Sequence, residues 1–220
     1  MIKATPWDRA AFGIPTWEVC EYSDAALKLA LATPGHHTIK VDPLADKAAL
    51  QAHGFYYCDT LIETATVPEK WRRVDVPTGV TVSKVINRRE ALAICHGAFA
   101  HGRFHRDASL ARSNADLRYD NWLTQLLDAE TVFGLYSYGK LAGFIAFQGS
   151  ILVLHAIAKK FRGRGLSKFW WCLVIDELFA SGHMSIGSSI SASNMSALNL
   201  YASLGFSFSH PQDIYHCLVL

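Results

Sequence analysis

The sequence predicts an α/β fold: a mixed sheet with antiparallel strands at its centre and helices on its flanks, preceded by a smaller α/β unit. Three observations carry this. Short apolar runs such as "ILVLHAIA" (151–158) have the length and β-branched content of strands, whereas Ala197, Leu200, Tyr201 and Leu204 recur at helical spacing. Tyr138, Gly139 and Lys140 make a tight turn between two strand-like runs, which sets those strands antiparallel. A long apolar helix over 166–180 joins "ILVLHAIA" to "MSIGSSIS" (184–191), and such a crossover sets that pair parallel.

In chain order, the first unit reads as a strand at "WEVCEYS", a helix over 24–31, a strand at "HTIKVD", a helix over 44–53 and a strand at "FYYCDTLIETATV". Pro68, Pro77 and Gly79 punctuate the charged stretch that follows, which reads as a linker. The expected units are therefore residues 1–76 and 80–220. The second begins with a strand over 80–85 and helices over 88–99 and 114–128. Strands at "TVFGLYSY", "KLAGFIAFQ" and "ILVLHAIA" come next, then the 166–180 helix, "MSIGSSIS", a helix opened by Asn194, and a last pair of strands. "LQAHGFYYCDTL" (50–61) and "YASLGFSFSHPQ" (201–212) both run helix end, Gly-Phe, strand, so the first unit reads as a degenerate echo of the end of the second.

Bulk composition narrows the function classes. With 220 residues, half of them hydrophobic, the chain can bury a sizeable core. Its 21 basic and 19 acidic residues leave a net charge of +2, too little to make a nucleic acid or an anionic membrane the main partner. Five scattered cysteines without a CxxC pair, and no secretory leader, point to a reduced cytoplasm. "FWWCLVIDELFA" is interrupted by Asp176 and Glu177 and is shorter than the roughly 20 apolar residues of a membrane span, so no such span is expected. His36, His37, His101 and His105 have no cysteine or carboxylate cluster at ligand spacing, and no metal is expected.

Two short stretches carry chemistry. "KKFRGRGLSKFWW" leads from a strand through a glycine turn into a helix. Gly163 and Gly165 let backbone N–H groups converge, the first turn of the helix adds donors, and Arg162 and Arg164 add charge, an arrangement suited to a phosphate. Neither GxGxxG nor GxxxxGK[ST] is present, which argues against a nicotinamide cofactor or ATP. In "SNMSALNLYASLGF" (193–206), Asn194 and Tyr201 stand seven residues, about two helical turns, apart, so both are expected to face one ligand.

Arg162, Gly165 and Ser167 of the loop, followed by Asn194, Ala197, Tyr201, Gly205 and Phe206, resemble the GNAT superfamily of N-acetyltransferases. Ser167 stands where that family has Gly or Ala. A narrower resemblance, to the dTDP-fucosamine acetyltransferases, rests on "WDRAAFGIPTWEV", "LQAHGF", "HGRFHRDASL" and "YDNWL". The resemblance implies a GNAT fold in which "ILVLHAIA" and "MSIGSSIS", its fourth and fifth strands, splay apart. It also implies acetyl-CoA as cosubstrate, held by backbone near His155 and Ile157, by the 162–167 loop including Leu166, and by Asn194 and Ala197. Tyr201 would protonate the leaving thiolate, and His155 is the one titratable side chain on the fourth strand available as a base. A nucleotide-linked amino sugar is the acceptor so implied, with Arg103, His105 and Tyr119 as its contacts and a homodimer as the assembly. Transfer to a peptide amine or polyamine, and a module that binds acyl-CoA without turnover, are the alternatives.

Overall fold

The computed structural model describes residues 1–220. The first unit contains β1 (Ile2–Ala4), α1 (Pro6–Phe12), β2 (Thr16–Val19), α2 (Asp24–Leu31), β3 (Gly35–Val41), α3 (Ala48–Ala52) and β4 (Tyr56–Thr66). After the linker come β5 (Val80–Ser83), α4 (Arg88–Cys95), α5 (Arg103–Arg106), α6 (Arg112–Asp128), β6 (Val132–Ser137), β7 (Lys140–Gln148) and β8 (Ile151–Ile157). Then follow α7 (Ser167–Ala180), β9 (Ile186–Ser191), α8 (Met195–Ser203) and β10 (Ser207–Val219). The mixed α/β architecture with an antiparallel centre is as the sequence predicts.

Local chemistry explains the departures. The helix expected over 44–53 starts only at Ala48, because Asp42 and Asp46 accept from the N–H groups of Leu44 (2.7 Å) and Ala48 (2.8 Å) and hold the chain in turns. The one expected over 88–99 stops at Cys95, two residues before Gly97 enters the left-handed region. In place of a last pair of strands there is one strand, β10, with a bulge between Ser209 and Gln212, where His210 has a φ of 45°.

All ten strands form one sheet in the order β1-β2-β3-β10-β4-β9-β8-β7-β6-β5. β10 therefore lies between β3 and β4, and β4 lies between β10 and β9. The boundary expected at 76–80 divides the chain without dividing the sheet. The linker packs closely: Trp71 Nε1 donates to Asp176 (2.9 Å), Arg73 pairs with the same carboxylate (2.8 Å), and the Arg72 N–H bonds Leu204 (3.1 Å). Asp176 is thus a polar anchor of the largely apolar α7, whose Trp170, Trp171, Cys172, Val174, Ile175 and Leu178 fill the largest core. Gly205 is required where the linker crosses, since its φ is 86° and a Cβ there would run into the Lys70 carbonyl. No helix is long and apolar enough to cross a membrane, and all five cysteines are free.

Candidate active site

β8 and β9 pair in parallel at only two positions, Ile151 with Gly187 and Leu152 with Ser188. At the fork, Ser188 Oγ donates to the Leu152 carbonyl (2.9 Å), using the acceptor on which a further ladder rung would be built. Beyond it the strands diverge. From Val153 to Ile157, β8 pairs with β7 alone, leaving backbone groups on its other edge without a ladder partner. One of them, the Ile157 carbonyl, accepts from Arg162 Nε at 2.7 Å.

A cleft of about 530 Å³ opens from this fork. Val153 to Ile157, Trp171 and Ser189 to Ser191 form its walls; Arg162, Gly163, Ser167, Asn194 and Ala197 lie at one end; Phe99, Arg103, Arg118, Tyr119 and Trp122 lie at the other. Gly163 and Gly165 adopt φ values of 72° and 69° with open space where a Cβ would sit. No side chain caps the start of α7, so the N–H groups of its first turn remain available to an anion.

The structure thus brings together His155, Ile157, Arg162, Gly163, Ser167, Asn194, Ala197, Arg103 and Tyr119 in one cavity. Arg164, Gly165 and Leu166 belong to the same loop but lie outside the cavity wall. Arg164 stacks over Phe161 at 5.6 Å, and Leu166 occupies the N-cap position of α7. His105 also stands behind the wall, bonded to Asp116 (2.8 Å) and stacked on Tyr119 (5.8 Å), where it orients that phenol ring.

Asn194 and Tyr201 do not face the cavity equally. Asn194 lines it, while the Tyr201 side chain is fully buried between Trp171 and Phe206. Helical spacing relates two residues only when both are helical, and Asn194 is the N-cap, with a φ of −88° and a ψ of 68°. Its Oδ1 accepts from the Ala197 N–H at 3.2 Å. Tyr201 nevertheless reaches the cleft through a neighbour, since its Oη lies 3.3 Å from His155 Nε2. Burial lowers the His155 pKa to about 4, so the ring is neutral at pH 7, and burial raises Tyr201 to about 12, so the phenol keeps its proton.

Three arginines surround the acceptor end. Arg118 pairs with Asp8 (2.6 Å) and Arg106 with Asp59 (3.0 Å), whereas Arg103 lines the cavity with no carboxylate partner. Asp59, on β4, also lines it. Its only mark in the sequence was an acid, one of two with Glu63, in the otherwise uncharged strand "FYYCDTLIETATV".

The histidine spacing conceals one cluster. His36 and His216, distant in the chain, meet Asp107 in the core, with His36 Nε2 at 2.8 Å and His216 Nδ1 at 2.7 Å from the same Oδ2. These are N–H···O distances, shorter than the roughly 3.3 Å that separates two ligand atoms around a tetrahedral zinc. Hydrogen bonding accounts for the three residues.

Residues 101–206 match the Acetyltransferase (GNAT) family. This stretch, just under half of the chain, is similar to the GNAT acetyltransferases. Among solved structures, the GCN5-related N-acetyltransferase from Sphaerobacter thermophilus is similar over 99% of this chain and 76% of that chain, at 13% identity and a TM-score of 0.68. A GNAT-family acetyltransferase from Colwellia psychrerythraea covers 90% and 74%, at 11% identity and a TM-score of 0.58. A tandem GNAT protein from the clavulanic acid biosynthesis pathway covers 94% and 76%, at 12% identity and a TM-score of 0.56. No curated protein matches. The GNAT fold accounts for the forked pair, and the splay implied for the fourth and fifth strands of the second unit is the opening between β8 and β9.

Proposed function

We propose that the protein transfers the acetyl group of acetyl-CoA to the amine of a nucleotide-linked amino sugar. The observation that carries this reading is the single cavity joining the β8–β9 fork and the 162–167 loop to an arginine without an ion-pair partner. Pantetheine lies along the free edge of β8 as an added strand, bonding backbone near His155 and Ile157. Its pyrophosphate rests on the 162–167 loop and the start of α7. An N–H of the same edge steadies the oxyanion formed when the amine attacks the thioester. Holding both reactants in line supplies about 7 to 11 kcal/mol of the barrier.

Tyr201 provides the proton that the departing thiolate takes, and His155 carries it from the core to the cleft. At the acceptor end, Arg103 suits a diphosphate, and the faces of Tyr119 and Trp122 suit a base or sugar ring. Cationic side chains outnumber the one carboxylate on the cavity wall, which favours an anionic acceptor over a polyamine. A thiol-release screen with acetyl-CoA over nucleoside-diphosphate-linked amino sugars, lysine peptides and spermidine tests the reading. The amino sugars should be the best acceptors, and Arg103→Ala should raise their KM about tenfold or more with little change for acetyl-CoA. Preference for peptides or spermidine would refute the acceptor class. Stabilisation by CoA with no thiol release on any amine would make the protein a binding module.

A further inference from the structure

Asp59 is the one carboxylate on the cavity wall, and the first unit supplies it. It lies on β4, the strand inserted between β9 and β10, and is 1% exposed. Its two oxygens are treated differently. Oδ1 accepts from the Thr60 N–H (2.9 Å), Ser191 Oγ (2.8 Å) and Arg106 Nη1 (3.0 Å). Oδ2, equally buried, has no partner. An unsatisfied buried oxygen costs about 1 to 3 kcal/mol, more when charged, so the protein retains here an acceptor that its own donors do not use.

The groups on Oδ1 fix the carboxylate from three sides: β4 itself, the end of β9 and α5. The cations facing it are Arg106, in contact, and Arg103, nearby. An amine meets two requirements at this position. It brings N–H donors to Oδ2, and it must lose a proton before its lone pair can attack. His155 is poorly suited to that step, because its ring is engaged with Tyr201 and burial makes it a weak base.

We propose that Asp59 Oδ2 receives the acceptor's ammonium group and removes its proton, making Asp59 a catalytic base supplied to the GNAT domain by the N-terminal unit. This rests on the acetyl-transfer reading above. The ammonium R–NH3⁺ gives one proton to Oδ2 and becomes R–NH2, and Asp59 later releases that proton to solvent. The nitrogen lone pair forms the C–N bond to the thioester carbonyl carbon. As the carbonyl reforms, the C–S bond breaks, the thiolate takes a proton from the Tyr201–His155 pair, and the nitrogen's second proton returns to that pair. The products are the amide, CoA thiol and the proton released by Asp59. Burial raises the Asp59 pKa against the opposing Ser191 hydrogen bond and Arg106 charge, which makes the group more basic than an exposed aspartate.

The test compares wild type with Asp59→Asn, which preserves shape while removing basicity, using the best nucleoside-diphosphate-linked amino sugar of the screen. The variant should bind acetyl-CoA as wild type does and lose about 10²-fold or more in kcat. It should also lose the acid limb of the wild-type pH profile. Hydroxylamine, already neutral at pH 7, needs no base and should be acetylated at nearly equal rates by both proteins. A folded Asn variant with kcat within a few-fold and an unchanged acid limb would overturn the proposal. Arg106→Gln gives an independent readout: removing that cation should move the acid limb upward by about half a pH unit or more, and an unmoved limb would overturn it as well. Wild type that binds acetyl-CoA but acetylates neither probe would overturn the transfer reading itself, and this base with it.

Discussion

At the scale of single residues, the proposed transfer turns on two groups held away from water. Tyr201 is fully buried and its hydroxyl lies 3.3 Å from His155 Nε2 on the cleft wall, so the two should act as one unit. Tyr201→Phe removes one oxygen and keeps the ring packed on Trp171 and Phe206. Its kcat should fall by about 10² or more, with acetyl-CoA affinity held. His155→Gln should fall by a similar factor. The double variant should be little worse than either single one, because removing any member of a relay removes the relay. Multiplying losses in the double variant would show two independent donors and end the relay reading.

At the scale of elements, the loop between β8 and α7 is built from backbone. Gly163 and Gly165 both adopt left-handed φ, and Gly165 has open space around its Cβ position, so sterics alone would admit a side chain there. The conformation would not. Gly165→Val forces a β-branched residue to a φ of 69°, which reshapes the loop and turns its N–H groups away from the proposed pyrophosphate site. The Kd for CoA should rise about tenfold or more by calorimetry, within what a helix-end anion site contributes, while the unfolding transition stays cooperative. Unchanged affinity in the folded variant would place the pyrophosphate elsewhere.

For the whole molecule, the decisive contact is Asp107. It ties the segment bearing Arg103 to β3, β4 and β10 by accepting from His36, His216, Tyr56 (2.9 Å) and Ser109 (2.6 Å). Those donors outweigh burial and hold its carboxyl well below the usual 3.8. The unfolded chain therefore takes up the proton first as pH falls. The stabilisation is full above about pH 4 and is lost as pH drops through and below 3.8. Asp107→Asn should cost about 1.5 to 3 kcal/mol at pH 7, since it faces histidine N–H donors with an amide. Urea midpoints measured from pH 7 to pH 3 should fall less steeply for the variant at the acid end. Parallel curves would show that Asp107 is not ionised against its donors.

Periodicity, the Tyr138-Gly139 turn and the apolar 166–180 run made the second unit's strands and helices legible, because those signals are local. The loop glycines and Asn194 were legible for the same reason, as backbone conformation is set by neighbours in sequence. Three features were decided only by tertiary structure. One is the insertion of β4 between β9 and β10, which depends on strand edges meeting across about 120 to 160 residues. Another is the burial of Tyr201, which follows from α8 starting after its cap and from the rings of Trp171 and Phe206 closing over it. The last is the pairing of charges. At the acceptor end Arg103 is the cation without a carboxylate, and Asp59 the acid with a free oxygen, because folding brings Asp8 to Arg118, Arg106 to Asp59 and Asp107 to two histidines. An electrostatic partner is chosen by distance in space, and no spacing along the chain encodes it.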